Sequence, residues 1–193
     1  MNDYGTVIAP GAVRFQRLLP GPIERVWSYL TDSEKRATWL AAGPMELKPG
    51  ARFELVFKHS DLTPHVEEVP ERYRGMEGGA SFPAQITACE PPRLLSHTWG
   101  EAFGAASEVT YELTPQGSSV LLVLTHRRLD REGMLEVSGG WHVHLDILEA
   151  KISGHTPPPF WKTHARLERE YAERFAAADA GKAMADTPRR KSA

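Results

Sequence analysis

Alternating apolar and polar positions predict β-strands along much of the chain. In Ser107–Thr114, an apolar face of Val109, Tyr111 and Leu113 alternates with polar residues. This alternation is typical of a strand with one buried and one solvated face. Five other stretches also have strand character: Ala12–Leu19, Arg52–His59, Ser81–Glu90, Arg93–Trp99 and Ser118–Leu129. The last is too apolar for its buried face to be assigned. We expect about six antiparallel strands.

Helical spacing follows the first predicted strand. Apolar residues recur at helical spacing from Ile23 to Leu30, directly after Pro22, which suits the first turn of a helix. The capping residues Thr31–Ser33 predict a second short helix that extends to Trp39–Leu40. The pattern is therefore one strand, two short helices and a run of strands.

The stretch GWHVHLD, Gly140–Asp146, has the H-x-H-x-D spelling of some metal sites. A strand template fits only these seven or so residues. A helix template accounts for a longer apolar stripe formed by Trp141, Leu145, Leu148 and Ile152. We predict a helix over 138–153, with Ser138 as its cap. Residues two apart on a helix point in nearly opposite directions, so His142 and His144 are not expected to share a metal.

Ser60–Gly79 is a long polar connection rich in proline and glycine. A connection of this length inside a compact domain is usually a lid or a mobile segment. A functional lid and a passive insertion both remain open.

Length and charge narrow the class of protein. The chain has 193 residues, a formal net charge of −2 and a single cysteine, which predicts one main domain, no intrachain disulfide and no nucleic-acid partner. Without a signal-peptide pattern or a long apolar run, we expect a cytoplasmic protein that does not bind membranes. The end of the chain, 181–193, is expected to be a disordered tail.

A sheet with one apolar face needs a cover, and the Trp141–Ile152 stripe would provide it. The motifs PGPIERVWSYLTDSEKRATWL, PPRLLSHTW, LLVLTHRRL and GWHVHLDILEAKISG together resemble the activator of heat-shock-protein-90 ATPase homologue-like family. That family belongs to the START-like (SRPBCC, birch-pollen-allergen-like) superfamily. The resemblance spans about Val13 to Gly154. It implies an α+β helix-grip fold, in which a curved antiparallel sheet wraps around a long C-terminal helix.

We therefore expect a helix-grip domain over 1–154 and an additional amphipathic helix within 155–180. In that helix, Phe160, His164, Leu167, Tyr171 and Phe175 recur at helical spacing. The helix could pack on its own domain or on a second subunit, so a homodimer remains possible.

The resemblance also implies a hydrophobic cavity between the sheet and helix 138–153. Ten residues are candidates to line it: Trp39, Phe53, Phe57, Leu95, His97, Trp99, Tyr111, Trp141, His144 and Leu148. We assign no catalytic residue, metal or cofactor.

Three functions remain open. The first is binding of an apolar small molecule such as a lipid, polyketide or aromatic compound. The second is a cyclase, dehydratase or hydrolase activity that uses a pocket histidine or tyrosine. The third is modulation of a chaperone ATPase. The resemblance determines the fold more strongly than it determines any of these.

Overall fold

The computed structural model describes residues 4–100 and 107–185, with side chains up to 179. Within these residues, one antiparallel sheet has the order β1-β2-β7-β6-β5-β4-β3. Its strands are β1 (Thr6–Ala9), β2 (Ala12–Pro20), β3 (Arg52–Phe57), β4 (Ala80–Glu90), β5 (Leu94–Thr98), β6 (Glu108–Gln116) and β7 (Ser119–Arg127). The sheet has one strand more than the six expected. The additional strand, β1, is four residues long and exposed throughout, so it carries no alternation that a sequence pattern could reveal.

The predicted alternation in β6 is confirmed. Val109, Tyr111 and Leu113 are buried on the inner face of the sheet. The face of β7, which the sequence left open, is also defined. Its inward residues are Val120, Leu122, Leu124 and His126. They lie opposite Pro115, Leu113, Tyr111 and Val109 of β6, in that order. A polar histidine therefore lies among the otherwise apolar inward residues of β7.

The two short helices are α1 (Ile23–Thr31) and α2 (Ser33–Ala37). Asp32 caps α2, because its side chain accepts a hydrogen bond from the Lys35 amide. The expectation that this helix extends to Trp39–Leu40 is wrong. It ends at Ala37, and the next residues form a turn held by bonds to backbone carbonyls of Lys35 and Arg36.

The long helix α3 (Arg131–Ser153) covers the inner face of the sheet. Its helical nature is confirmed, but its predicted start at 138 is wrong. Asp130 caps the helix by accepting from the Gly133 amide, so α3 begins seven residues earlier. Gly139 lies inside the helix, where an added Cβ would come within 3.4 Å of Glu168 Cγ. The missing side chain thus allows a close helix contact.

That contact is with α4 (Phe160–Ala185), which packs on α3 of the same chain. Its inner face carries the buried residues Phe160, His164, Leu167, Tyr171 and Phe175. The helix continues through 181–185, where a disordered tail was expected, and 186–193 lies outside the described residues. In the part of the chain that is described, neither long helix has a sufficiently apolar stretch to cross a bilayer.

Candidate functional site

A cavity of about 160 Å³ lies where the sheet, α3, α4 and the Ser60–Gly79 segment meet. It lies at the end of the sheet formed by β3, β4 and β5. Fourteen residues line it: Phe57, His59, Tyr73, Met76, Phe82, Trp99, Glu136, Val137, Gly140, Trp141, His144, Phe160, Trp161 and His164. Tyr73, Met76, Phe82, Glu136 and Gly140 are partly exposed and form its mouth.

One wall of the cavity is a group of aromatic rings from the sheet and α3. The Trp99 and Trp141 ring centroids are 4.6 Å apart, and Phe82 lies 5.3 Å from Trp99. Phe57 packs on Phe82 at 5.2 Å. These rings bring apolar faces and edges to the cavity, which favours an apolar occupant.

The opposite wall comes from the start of α4. The Phe160 ring lies 4.6 Å from His59 and 5.2 Å from His144. Trp161 stacks on Tyr73 at 5.2 Å. The additional helix and the polar connection therefore both take part in forming the cavity.

His144 is the best-defined polar group in the lining. Its Nδ1–H donates to the carbonyl of Trp39 at 2.6 Å, and a carbonyl can only accept. Burial, reinforced by the neighbouring His59, lowers the pKa of His144 to about 3, so the ring is neutral at pH 7. In this tautomer Nε2 is an acceptor, and it has no hydrogen-bond partner among the described residues.

His59 lies beside His144, with ring centroids 5.7 Å apart. Its Nδ1 is buried and without a hydrogen-bond partner in the described structure. Burial and the nearby His164 lower the pKa of His59 to about 4. The pKa of His164 is also lowered by burial, although the Glu168 carboxylate 3.7 Å away opposes this shift. The cavity therefore holds neutral imidazoles at pH 7.

A polar network spans the mouth of the cavity. Tyr73 donates to Glu168 at 2.6 Å, and Arg72 lies 3.1 Å from Glu168 and 3.5 Å from Glu136. Burial and the bond to Glu168 raise the pKa of Tyr73. The network connects the Ser60–Gly79 segment to both α3 and α4.

The same segment also holds the start of α4. The Glu67 carboxylate accepts from the backbone N–H groups of Trp161 and Lys162 at 3.1 and 2.9 Å. His65 Nε2–H donates to the carbonyl of Pro157 at 3.1 Å. Short 3-10 turns at His59–Asp61 and Glu71–Met76 give the segment its own local structure.

Four of the ten sequence candidates meet in the cavity: Phe57, Trp99, Trp141 and His144. The other six are buried in the core outside its lining: Trp39, Phe53, Leu95, His97, Tyr111 and Leu148. Three of these six lie near the cavity wall. Trp39 supplies the carbonyl that holds His144. The His97 ring lies 6.0 Å from Trp99, and the Tyr111 ring lies 6.1 Å from Trp141.

Sequence reasoning missed ten lining residues: His59, Tyr73, Met76, Phe82, Glu136, Val137, Gly140, Phe160, Trp161 and His164. Six of them lie in or beside the two segments that the pattern placed outside the central fold. The sequence FWKTHARLEREY, residues 160–171, contained a usable signal for some of them. Its aromatic and histidine residues are unusually bulky for the solvated start of a helix, which indicates that this start is buried.

The H-x-H-x-D spelling is explained by packing. His142 Nδ1 lies 3.0 Å from the Tyr171 hydroxyl, and Asp146 accepts from Arg17 at 2.9 Å. His144 instead lines the cavity. In residues 4–100 and 107–185, no cluster of three or more His, Cys, Asp or Glu side chains is placed to hold a metal ion.

The antiparallel sheet, the long helix α3 across it and the two short helices after β2 define a helix-grip protein of the START-like (SRPBCC) class. More specifically, the chain belongs to the activator of Hsp90 ATPase homolog 1-like family, whose model matches residues 20–153. The family assignment expected from the sequence is confirmed. The match ends before α4 begins.

Solved structures agree with this assignment. The protein encoded by gene BPP1335 from Bordetella parapertussis is 48% identical, with 90% of this chain and 91% of that chain covered and a TM-score of 0.78. CalU16 from Micromonospora echinospora is 26% identical, with 84% and 86% covered and a TM-score of 0.62 in its crystal structure.

A more distant structure is DynU16, a putative protein in the dynemicin biosynthetic locus. It is 18% identical, with 77% of this chain and 49% of that chain covered and a TM-score of 0.58, which supports the fold alone. A comparison with curated proteins gave no match.

Proposed function

We propose that the cavity binds a small apolar molecule and that the protein serves as a carrier or sensor of this ligand. The observation that carries the proposal is a cavity walled by aromatic rings from the sheet, α3 and α4. Such a lining, with a few polar groups to orient the occupant, is typical of small-molecule sites.

The volume limits the size of the ligand. Sites for drug-sized compounds usually occupy about 300–1,000 Å³, whereas this cavity measures about 160 Å³. An engineered apolar cavity of about 150 Å³ binds benzene. The proposed occupant is therefore the size of one aromatic ring, unless Phe160 and the Ser60–Gly79 segment move.

The histidines support binding over acid–base catalysis. An efficient general base has a pKa near the working pH. The pKa values of His144 and His59 are lowered to about 3 and 4, so both are weak bases. A neutral imidazole can still orient a ligand through a hydrogen bond.

Tryptophan signals provide a direct test, because the chain has five tryptophans. Trp99, Trp141 and Trp161 line the cavity, whereas Trp27 and Trp39 do not. Toluene titrated into ¹⁵N-labelled protein should shift the indole N–H resonances of the first three and leave the other two unchanged. Absence of saturable shifts, or equal shifts of all five, would refute binding in this cavity.

Gly140 allows the cavity to be filled. An added Cβ meets no atom within 4 Å there, and the residue has ordinary helical geometry. Gly140→Leu should fill much of the cavity and weaken toluene binding at least tenfold. Gly140→Ala adds only one methyl group and controls for the change in helix propensity. Equal toluene affinity in the leucine and alanine variants would contradict the proposed site.

A further inference from the structure

We propose that the ligand is a neutral aromatic compound with a hydrogen-bond donor, such as a phenolic hydroxyl, and that His144 Nε2 accepts this hydrogen bond. This inference rests on the proposed binding function of the cavity. It adds the chemical class of the ligand and a residue that determines specificity.

The first argument is the fixed orientation of His144. Its bond to the Trp39 carbonyl holds the ring and places the proton on Nδ1. The side chain is 6% exposed, and Nε2 has no partner among the described residues. An occupant that displaces water from this acceptor without donating a hydrogen bond leaves the acceptor unpaired, so an occupant that donates gains more than one that cannot.

The second argument is the distribution of polar groups in the cavity. His144 and His59 lie together next to Phe160. Trp99 and Trp141 lie together in the other wall, and Phe57 contacts both groups. Aromatic rings therefore line both ends of the cavity, whereas its imidazoles all lie at the end next to Phe160. An aromatic ring with one polar substituent fits this arrangement, because the substituent can face the histidines while the ring packs against Trp99 and Trp141.

The third argument is charge. Among the described residues that line the cavity, Glu136 is the one acidic residue, and none is lysine or arginine. The nearby Arg72 already lies between Glu168 and Glu136. A carboxylate ligand would therefore lose its hydration without gaining a cation in the lining. This favours a neutral donor over an aromatic acid.

The test compares phenol, toluene and benzoate by NMR titration of the full chain. One net hydrogen bond should make phenol bind about 2- to 10-fold more tightly than toluene, and benzoate should bind most weakly. Equal affinities for phenol and toluene, or tightest binding of benzoate, would overturn this inference while leaving the binding function intact. If none of the three binds, the proposed function itself fails.

The variant that isolates the acceptor is His144→Asn. Its amide nitrogen takes the position of Nδ1 and can still donate to Trp39, but it has no atom at the position of Nε2. Phenol affinity should fall to the toluene value, with toluene affinity unchanged. The exposed His155, which lies outside the cavity, provides the matched control His155→Asn. If phenol is still preferred in His144→Asn, the assigned role of His144 is wrong.

A measurement on the unaltered protein covers the case in which His144→Asn does not fold. The ¹⁵N resonance of His144 Nε2 should move to lower chemical shift when phenol is added, because its lone pair becomes hydrogen-bonded. Toluene at the same occupancy should leave this resonance in place. The same shift with both probes, or no shift with phenol, would overturn the proposal.

Discussion

Glu67 caps α4 at Trp161, a residue 94 positions further along the chain. The first N–H groups of a helix have no partner inside it, and a carboxylate also interacts favourably with the positive end of the helix dipole. The Ser60–Gly79 segment therefore fixes the helix start that supplies one wall of the cavity. This contact makes the segment part of the candidate site.

We expect Glu67→Ala to lower the free energy of unfolding by about 1–2 kcal/mol. It should also raise the hydrogen-exchange rates of the Trp161 and Lys162 amides, because both lose their acceptor. Urea denaturation and exchange NMR would measure these effects. Glu68→Ala, at the exposed neighbouring position, is the control, and equal effects of the two substitutions would contradict the role of Glu67.

Phe160 is expected to set the upper size of the ligand. Phe160→Leu should lower the free energy of unfolding by about 1–2 kcal/mol. It should also improve binding of the two-ring probe 1-methylnaphthalene at least tenfold, because the lost ring volume adjoins the cavity. Phe175→Leu removes a buried ring elsewhere on α4 and serves as the control. A similar gain in both variants would argue against Phe160 as the size limit.

Asp146 is expected to act through Arg17, whose side chain is 2% exposed. Asp146→Ala should lower the free energy of unfolding by about 2–4 kcal/mol, because it removes the carboxylate that lies 2.9 Å from a buried guanidinium. Glu149 lies 3.8 Å from Arg17 and is 50% exposed, so Glu149→Ala should cost less than about 1 kcal/mol. Chemical denaturation of both variants would show which substitution lowers the free energy of unfolding more. A larger loss for Glu149→Ala would contradict this assignment.

Stability is expected to fall as the pH decreases below about 6.5. Burial lowers the pKa of His97 to about 4 and those of His126 and His144 to about 3. The unfolded chain binds protons near the ordinary value, whereas the folded chain does so only below these values. The unfolded state therefore holds more protons than the folded state between about pH 6.5 and pH 4. As a result, the free energy of unfolding should be lower at pH 5 than at pH 7 by about 1–2 kcal/mol for each histidine.

Urea denaturation at a series of pH values would measure this loss. His97→Asn keeps a donor for the carbonyl of Thr98, to which His97 Nδ1 now donates at 2.9 Å, but removes the titrating ring. Its stability should depend less steeply on pH than that of the unaltered protein. The exposed His155→Asn should leave the slope unchanged. Identical slopes in all three proteins would show that His97 does not contribute to the loss of stability in acid.

Patterns local in sequence predicted the elements of the fold well. Val109, Tyr111 and Leu113 defined an inner face, and the stripe from Trp141 to Ile152 distinguished a helix from a metal-binding strand. Both predictions depend on a period that one element carries by itself. The short exposed strand Thr6–Ala9 has no such period and was missed.

The cavity was only partly predictable because it depends on contacts between distant segments. His59, Phe160 and Trp161 meet across about a hundred residues of chain, and no local pattern records that meeting. His97 and Tyr111 point inward as expected, but they lie in the core outside the cavity lining. The alternation of apolar and polar residues along a strand predicts which side chains point inward. It does not predict where the packed side chains leave a cavity.

The polar network at the mouth also has a kinetic consequence. Arg72 spans the distance between Glu136 and Glu168, and all three side chains are accessible to dissolved ions. If these ion pairs must open for a ligand to pass, the same opening step limits the rate of entry and the rate of exit. Added salt screens such pairs, so it would speed exchange in both directions and leave the equilibrium occupancy of a neutral ligand nearly constant. Residence time and affinity would then respond to different parts of the molecule.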